Sequence, residues 1–192
     1  CDPFAWALLD GLTTMGVTFH LIEDEGIDCG SIVAQALWEI CDDTTAWDLY
    51  QESIRQGEAL LDTALDSLLD RGVTPSPQDG RWSTYHPPGQ IDFSDLAIRW
   101  QMPAKALSAW TRARIFPPLQ MPYFVWRGER IEIARCRVAQ GGRSPAGTLL
   151  SVSPLVVAAG RGAIELMELR SHCETVSGTE WAMREGLCEG AV

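Results

Sequence analysis

The chain has 192 residues, 46% apolar side chains and a formal net charge of -11, enough apolar material for one core of ordinary size or two small ones. No apolar run approaches the roughly 18 to 20 residues that span a bilayer, and the first ten residues carry no basic stretch of a secretory signal. The six cysteines, Cys1, Cys29, Cys41, Cys136, Cys173 and Cys188, form neither a C-x-x-C pair nor a Cys/His set, so neither zinc nor a dithiol couple is signalled and no metal is expected. Reduced thiols and a cytoplasmic location are the expectation.

In chain order, Val17, Phe19 and Leu21 alternate with Thr18, His20 and Ile22, which predicts a half-buried strand over about 15–23 and a returning strand over 31–40. Between them, Glu23-Asp24-Glu25 must be solvated, because adjacent carboxylates repel and none has a basic neighbour. The chain then turns at Gly26, where a missing Cβ permits positive φ. Asp28 lies between Gly26 and Gly30, at a junction that can project its carboxylate into a cleft, and loops held by rigid strands are where reactive groups concentrate. Asp beside Gly is also ordinary turn chemistry. Asp28 is nonetheless the strongest catalytic candidate.

A helix follows, capped at Asp43 with Thr45 and Asp48 as a capping box, and its packed face reads Trp47, Tyr50, Ile54, Gly57, Leu61, Ala64 and Leu68 as far as Asp70. Arg71-Gly72 ends it. Residues 73–91 hold Pro75, Pro77, Pro87 and Pro88 with Gly80 and Gly89, the composition of a connector, with a short strand at 81–85. From 92 a second unit begins. A helix runs from Pro103 to Ile115, with Lys105, Ser108 and Arg112 on one side and Ala106, Leu107, Trp110 and Ala113 on the other. Pro117-Pro118 stops it. Strands near 120–126, 130–138, 147–153, 155–159 and 163–169, separated by Arg127-Gly128, Gly141-Gly142 and Gly160-Arg161-Gly162, predict a small barrel, and Thr179–Glu185 one or two helical turns. The fold class is thus α/β followed by mostly β.

Charge divides the chain at the same place. Residues 1–80 carry 16 acidic and 2 basic side chains, and 81–192 carry 10 acidic and 13 basic. Within 99–143, Arg99, Lys105, Arg112, Arg114, Arg127, Arg130, Arg135, Arg137 and Arg143 face only Glu129 and Glu132. Such a stretch suits phosphate contacts, Arg112 and Arg114 among them, or equally a basic face balancing the acidic first part.

Several segments together resemble one family. Gly16-Val17-Thr18-Phe19-His20, the acidic turn, and Ile27-Asp28-Cys29-Gly30-Ser31-Ile32-Val33-Ala34-Gln35 resemble the end of the catalytic domain of folate-dependent formyltransferases. Asp2-Pro3-Phe4-Ala5-Trp6-Ala7-Leu8 looks like the helix before that motif, and Gly57-Glu58-Ala59-Leu60-Leu61 continues the likeness. Thr84-Tyr85-His86-Pro87, Ile91-Asp92, Trp100-x-x-Pro103-Ala104 and Thr111-Arg112-Ala113 resemble the linker and C-terminal domain of the methionyl-tRNA and sugar-nucleotide branches, and Leu150 to Leu166 looks closest to the sugar branch. Ordered matches along the chain are far more specific than any one of them.

The resemblance implies the end of a Rossmann-like catalytic domain at 1–72, a linker at 73–91 and an OB-like barrel at 92–192. It implies 10-formyltetrahydrofolate as donor and a primary amine as acceptor, either a small molecule such as an amino sugar nucleotide or carrier-bound amino acid, or an aminoacyl-tRNA reached through 99–143. Amine attack on the formyl carbon creates an oxyanion that donors must meet. In the family an Asn and a His supply them, and the Asp orients the His and helps accept the amine's proton. Asp28 matches that Asp, with His20 and Gly30 as near-site support. The Asn-x-His-x-Ser-x-Leu-Pro segment is absent from these 192 residues, and His86 falls in the linker. The expectation is therefore a C-terminal portion that is inactive by itself.

Two departures stand out. His20 and Asp28 are eight residues apart where the family has seven, which places one extra residue in the 23–25 turn. The family's Pro-x-Pro-Gly-Ala is here Pro117-Pro118-Leu119-Gln120-Met121-Pro122. A formyltetrahydrofolate hydrolase and a noncatalytic interaction module are the other readings.

Overall fold

A computed structural model describes residues 2–23, 26–69, 74–141, 143–171 and 174–190. The first unit opens with α1 (Pro3–Leu9), where Pro3 occupies the first turn and Ala5, Ala7 and Leu8 are buried. Strands β1 (Thr14–His20) and β2 (Ile32–Glu39) form an antiparallel pair running from Thr14 opposite Glu39 to His20 opposite Ile32, with a register shift between Phe19 and His20. Such a shift bends a strand and re-aims its last side chain.

Helix α2 (Ala46–Leu69) follows. Its cap is Thr45, where Asp43 was expected. The Asp48 amide donates to Thr45 Oγ1 at 3.1 Å, and the Thr45 amide and hydroxyl donate to Asp48 Oδ2 at 2.9 and 2.8 Å, which closes the expected box. The packed face is rotated from the expected one. Ala46, Leu49 and Ala64 are buried, whereas Ile54 and Leu61 are 44% and 43% exposed. Gly57 explains the rotation, because a Cβ there would lie 3.9 Å from Val17 Cγ2, so the helix presents its small side chains to the hairpin. The Leu68 side chain, Asp70 and the Arg71-Gly72 stop lie outside the described residues.

The connector bonds to the first unit. Ser76 and Ile32 exchange both backbone hydrogen bonds, at 2.7 and 2.9 Å. The strand expected at 81–85 is absent, and a 3-10 turn occupies Gly80–Trp82, closed by the Asp79 carboxylate accepting from the Arg81 amide. His86 stacks on Trp6 with ring centroids 3.9 Å apart and places Nε2 2.9 Å from Asp10 Oδ2.

The second unit holds α3 (Ala104–Arg112), β3 (Tyr123–Trp126), β4 (Glu129–Ala139), β5 (Leu149–Val152), β6 (Leu155–Ala158), β7 (Ala163–Ser171), β8 (Glu174–Ser177) and α4 (Gly178–Arg184). The six strands make one antiparallel sheet in the order β3-β4-β7-β6-β5, with β8 also on β7. Two register shifts, either side of Arg135, curl the sheet, since a bulge adds local twist. Strand β8 escaped sequence reading because its four residues offer one buried apolar side chain, Val176. The sequence of α3 placed Ser108 outward and Ala106 inward, and the structure reverses them. Leu107, Ser108 and Thr111 are buried, and the Ser108 and Thr111 hydroxyls face the Cys136 thiol. Gly142, in one expected turn, lies outside the described residues.

Two cores result. One fills the curl with Leu107, Ile131, Ile133, Ile164, Leu169 and their neighbours. The other joins Ala5, Ala7, Leu8, Ala46 and Leu49 to Ile91 and Ala113, so it is shared between the first and second units. Arg135 reinforces this contact by donating to both carboxylate oxygens of Asp48, at 3.1 and 3.3 Å, and lies 3.5 Å from Asp43.

Burial pushes the Cys136 thiol from 9.0 up to about 12. The folded state therefore keeps a proton that the unfolded chain releases, and stability is complete below pH 9 and falls as pH rises from there toward 12, by up to about 1.4 kcal/mol per unit. Urea unfolding at pH 8 and pH 10.5 will show a smaller loss in Cys136→Ala than in the parent. Equal losses would place the thiol in contact with solvent.

Candidate active site

The candidate site is the turn between β1 and β2. At its neck the Leu21 amide donates to the Ser31 carbonyl at 2.9 Å, and the Ser31 amide and hydroxyl both donate to Glu23 Oε2 at 2.8 Å. One residue of the acidic run is thus a staple across the loop. Asp24 and Glu25, where the extra residue was placed, lie outside the described residues.

Gly30 is required by close approach. A Cβ on it would stand 1.7 Å from the Leu21 carbonyl oxygen. The positive φ in this turn belongs to Asp28, at 58°, where Gly26 was expected to make the turn. Asp is among the few residues that tolerate this region without a glycine.

His20 Nδ1 lies 2.9 Å from the Leu21 carbonyl, so that nitrogen carries a proton, and Nε2 points to Asp28 Oδ1 at 3.6 Å. A second proton on Nε2 makes the ring an imidazolium that faces the carboxylate. At 3.6 Å this is an ion pair with room for a bridging water rather than a direct hydrogen bond. The His20 side chain is 24% exposed and that of Asp28 86%. The expected cleft around Asp28 is therefore absent among the described residues, and the carboxylate stands open to solvent. Chemically, it can accept a proton from an approaching donor while paired with a histidine.

His20, Asp28 and Gly30 thus come together, while Arg112 and Arg114 lie in the second unit and spend their donors internally. Arg112 Nη1 donates to the Thr44 carbonyl at 2.9 Å, and Nε to Ser108 Oγ at 3.2 Å. Arg114 is buried, 4.3 Å from the Trp110 ring centroid, and donates to the carbonyls of Trp110 and Asp92. Both hold the fold, which argues against their assignment as phosphate or acceptor contacts.

The same holds for most of the basic stretch. Arg99 pairs with Asp95, Arg127 with Glu185, Arg130 with Glu132, Arg135 with Asp43 and Asp48, and Arg137 with Glu165. Of the nine, Lys105 and Arg143 have no hydrogen-bond or ion-pair partner among the described residues. The local excess of positive charge is largely neutralised by side chains from elsewhere in the sequence.

Sequence reading missed Gln78. Its Nε2 donates to the carbonyls of Asp28 at 3.0 Å and Gly30 at 2.7 Å. A polar residue in a Pro-rich connector gives no local signal of a contact 50 residues away.

Residues 90–186 match the family model described as Formyl transferase, C-terminal domain. The chain is 33% identical over 185 residues to the methionyl-tRNA formyltransferase of Chloroflexus aurantiacus, covering 93% of this chain and 58% of that enzyme. It is 35% identical over 144 residues to that of Synechococcus sp. (strain JA-3-3Ab), covering 75% of this chain and 42% of that enzyme. The chain therefore spans less than two thirds of these relatives. Among solved structures, the Helicobacter canadensis N-formyltransferase in complex with folinic acid and dTDP-3-aminofucose superposes with a TM-score of 0.68 at 21% identity, over 86% of this chain and 60% of that one. HypX from Aquifex aeolicus in complex with tetrahydrofolic acid gives 0.62 at 15% identity, over 95% and 32%. At these identities the structural likeness speaks to the fold.

Proposed function

This chain belongs to the formyltransferase family, and we propose that it supplies the acidic member of a site that moves a formyl group from 10-formyltetrahydrofolate to a primary amine. Residues 1–72 are then the end of a Rossmann-like catalytic domain, 73–91 the linker and 92–192 an OB-like domain, in a soluble cytoplasmic enzyme. The observation that carries the reading is the Asp28 carboxylate, held 3.6 Å from His20 on a left-handed residue within a matching motif. An amine that attacks a formyl carbon must lose a proton, and Asp28 is the open carboxylate placed to accept it, directly or through a water. The described residues form no pterin pocket around Asp28, so the donor is assigned by family and by the folate ligands of the two structural relatives named above.

The test joins this chain to the part of the Chloroflexus aurantiacus enzyme that it does not match, and supplies 10-formyltetrahydrofolate with an amino sugar nucleotide or with methionyl-tRNA. Transfer is expected from the joined protein and not from the 192 residues alone. Transfer by the 192 residues alone would overturn the sharing of the site, and formate release without an acceptor would replace transfer by hydrolysis. The names of the curated relatives favour methionyl-tRNA as a second reading of the acceptor. With so few free cations in 99–143, a transfer RNA bound through that stretch would show a shallow salt dependence. A steep loss of affinity between about 50 and 200 mM salt would instead require several phosphate contacts from other surfaces.

A further inference from the structure

We propose that Gln78, in the connector, is a positioning residue that holds Asp28 in its left-handed conformation; the catalytic consequence rests on the reading of Asp28 above. Both protons of the Gln78 amide are committed, one to the Asp28 carbonyl at 3.0 Å and one to the Gly30 carbonyl at 2.7 Å. Two carbonyl acceptors fix which way the amide faces, since only its nitrogen can donate. Two residues earlier, Ser76 and Ile32 exchange backbone hydrogen bonds at 2.7 and 2.9 Å. The connector is thereby pinned to the first residue of β2, and the Gln78 side chain reaches the outer lobe of the loop from a fixed base.

The loop needs such a hold. A residue other than glycine at φ 58° sits above its relaxed conformation and stays there only when surrounding bonds outweigh the strain. In this conformation the Asp28 carbonyl turns to the connector while its carboxylate stays within 3.6 Å of His20. Release of the carbonyl lets φ return to negative values, and the carboxylate swings away from the ring. On the other side of the loop, Glu23 and Leu21 fasten Ser31, so the neck survives when the lobe is freed. Gln78 acts on the direction of Asp28 rather than on the fold of the hairpin.

Gln78→Glu keeps the shape and removes both donors at neutral pH, whereas Gln78→Lys keeps donors at the cost of shape. In the isotope-labelled 192-residue chain, the intraresidue Hα to amide-proton cross-peak of Asp28, strong at positive φ, is expected to weaken in Gln78→Glu and to persist in Gln78→Lys. The Ile32 amide should stay protected in both. An unchanged cross-peak in Gln78→Glu overturns the proposal. In the joined protein, Gln78→Glu is expected to lower kcat about five- to tenfold at constant KM, with no further loss when Asp28 is already Asn. A displaced loop with unchanged kcat, in a protein where Asp28→Asn is inactive, overturns the positioning role. Normal turnover in Asp28→Asn itself fails the catalytic reading instead, and leaves the cross-peak result standing as evidence for the anchor.

Discussion

Asp28→Asn in the joined, transfer-competent protein is expected to lower kcat about a hundredfold or more, the upper part of the range for loss of a general base. The substitution is chosen because Asn, like Asp, tolerates positive φ, so the loop at φ 58° keeps its shape. Asn is also nearly isosteric with Asp and keeps one oxygen acceptor, while it can neither take up a proton nor carry the charge that faces His20. The ion pair lost is 86% exposed on the Asp28 side, and pairs so open to water contribute little to stability. The urea midpoint should therefore stay where it is. An activity loss with no stability loss locates the effect in the chemistry, whereas turnover near that of the parent would move the acid role to another residue.

This separation depends on how the loop is built, and the sequence showed only part of it. The strand pair, the acid between two glycines and the long helix were legible because their periodicity and breakers are local. The direction of Asp28 was not. It follows from a positive φ on the acid itself, a staple from Glu23 to Ser31 and an amide arriving from residue 78. Contacts across 50 residues leave no trace in spacing.

The α2 face was misplaced for a related reason. A scale that rewards large apolar residues selects Ile54 and Leu61, whereas the hairpin accepts the side of the helix that carries Gly57. Charge misled in the same way. Arg112 and Arg135 looked free beside their sequence neighbours, but their partners Thr44, Asp43 and Asp48 belong to the acidic first part. What read as a surface for phosphates serves largely to join the two units.

Gly30→Ala is expected to damage both stability and activity, and so to differ from Asp28→Asn. The added methyl would stand 1.7 Å from the Leu21 carbonyl oxygen, 2.7 Å from its carbon and 3.4 Å from His20 Nδ1. Backbone on both sides leaves no flexible side chain to yield, so the Leu21 carbonyl must move. That carbonyl is the partner of His20 Nδ1, and the Leu21 amide closes the neck by bonding Ser31. One methyl group therefore loosens the histidine and the hairpin end together. Overpacking of this kind costs about 1 to 3 kcal/mol, and the displaced His20 should lower kcat at least tenfold in the joined protein. Calorimetry and turnover on the same preparation read both effects. If the midpoint falls while turnover is kept, the glycine serves the hairpin alone and His20 has no part in the site. If neither changes, the close approach of Gly30 to Leu21 is not what fixes the turn.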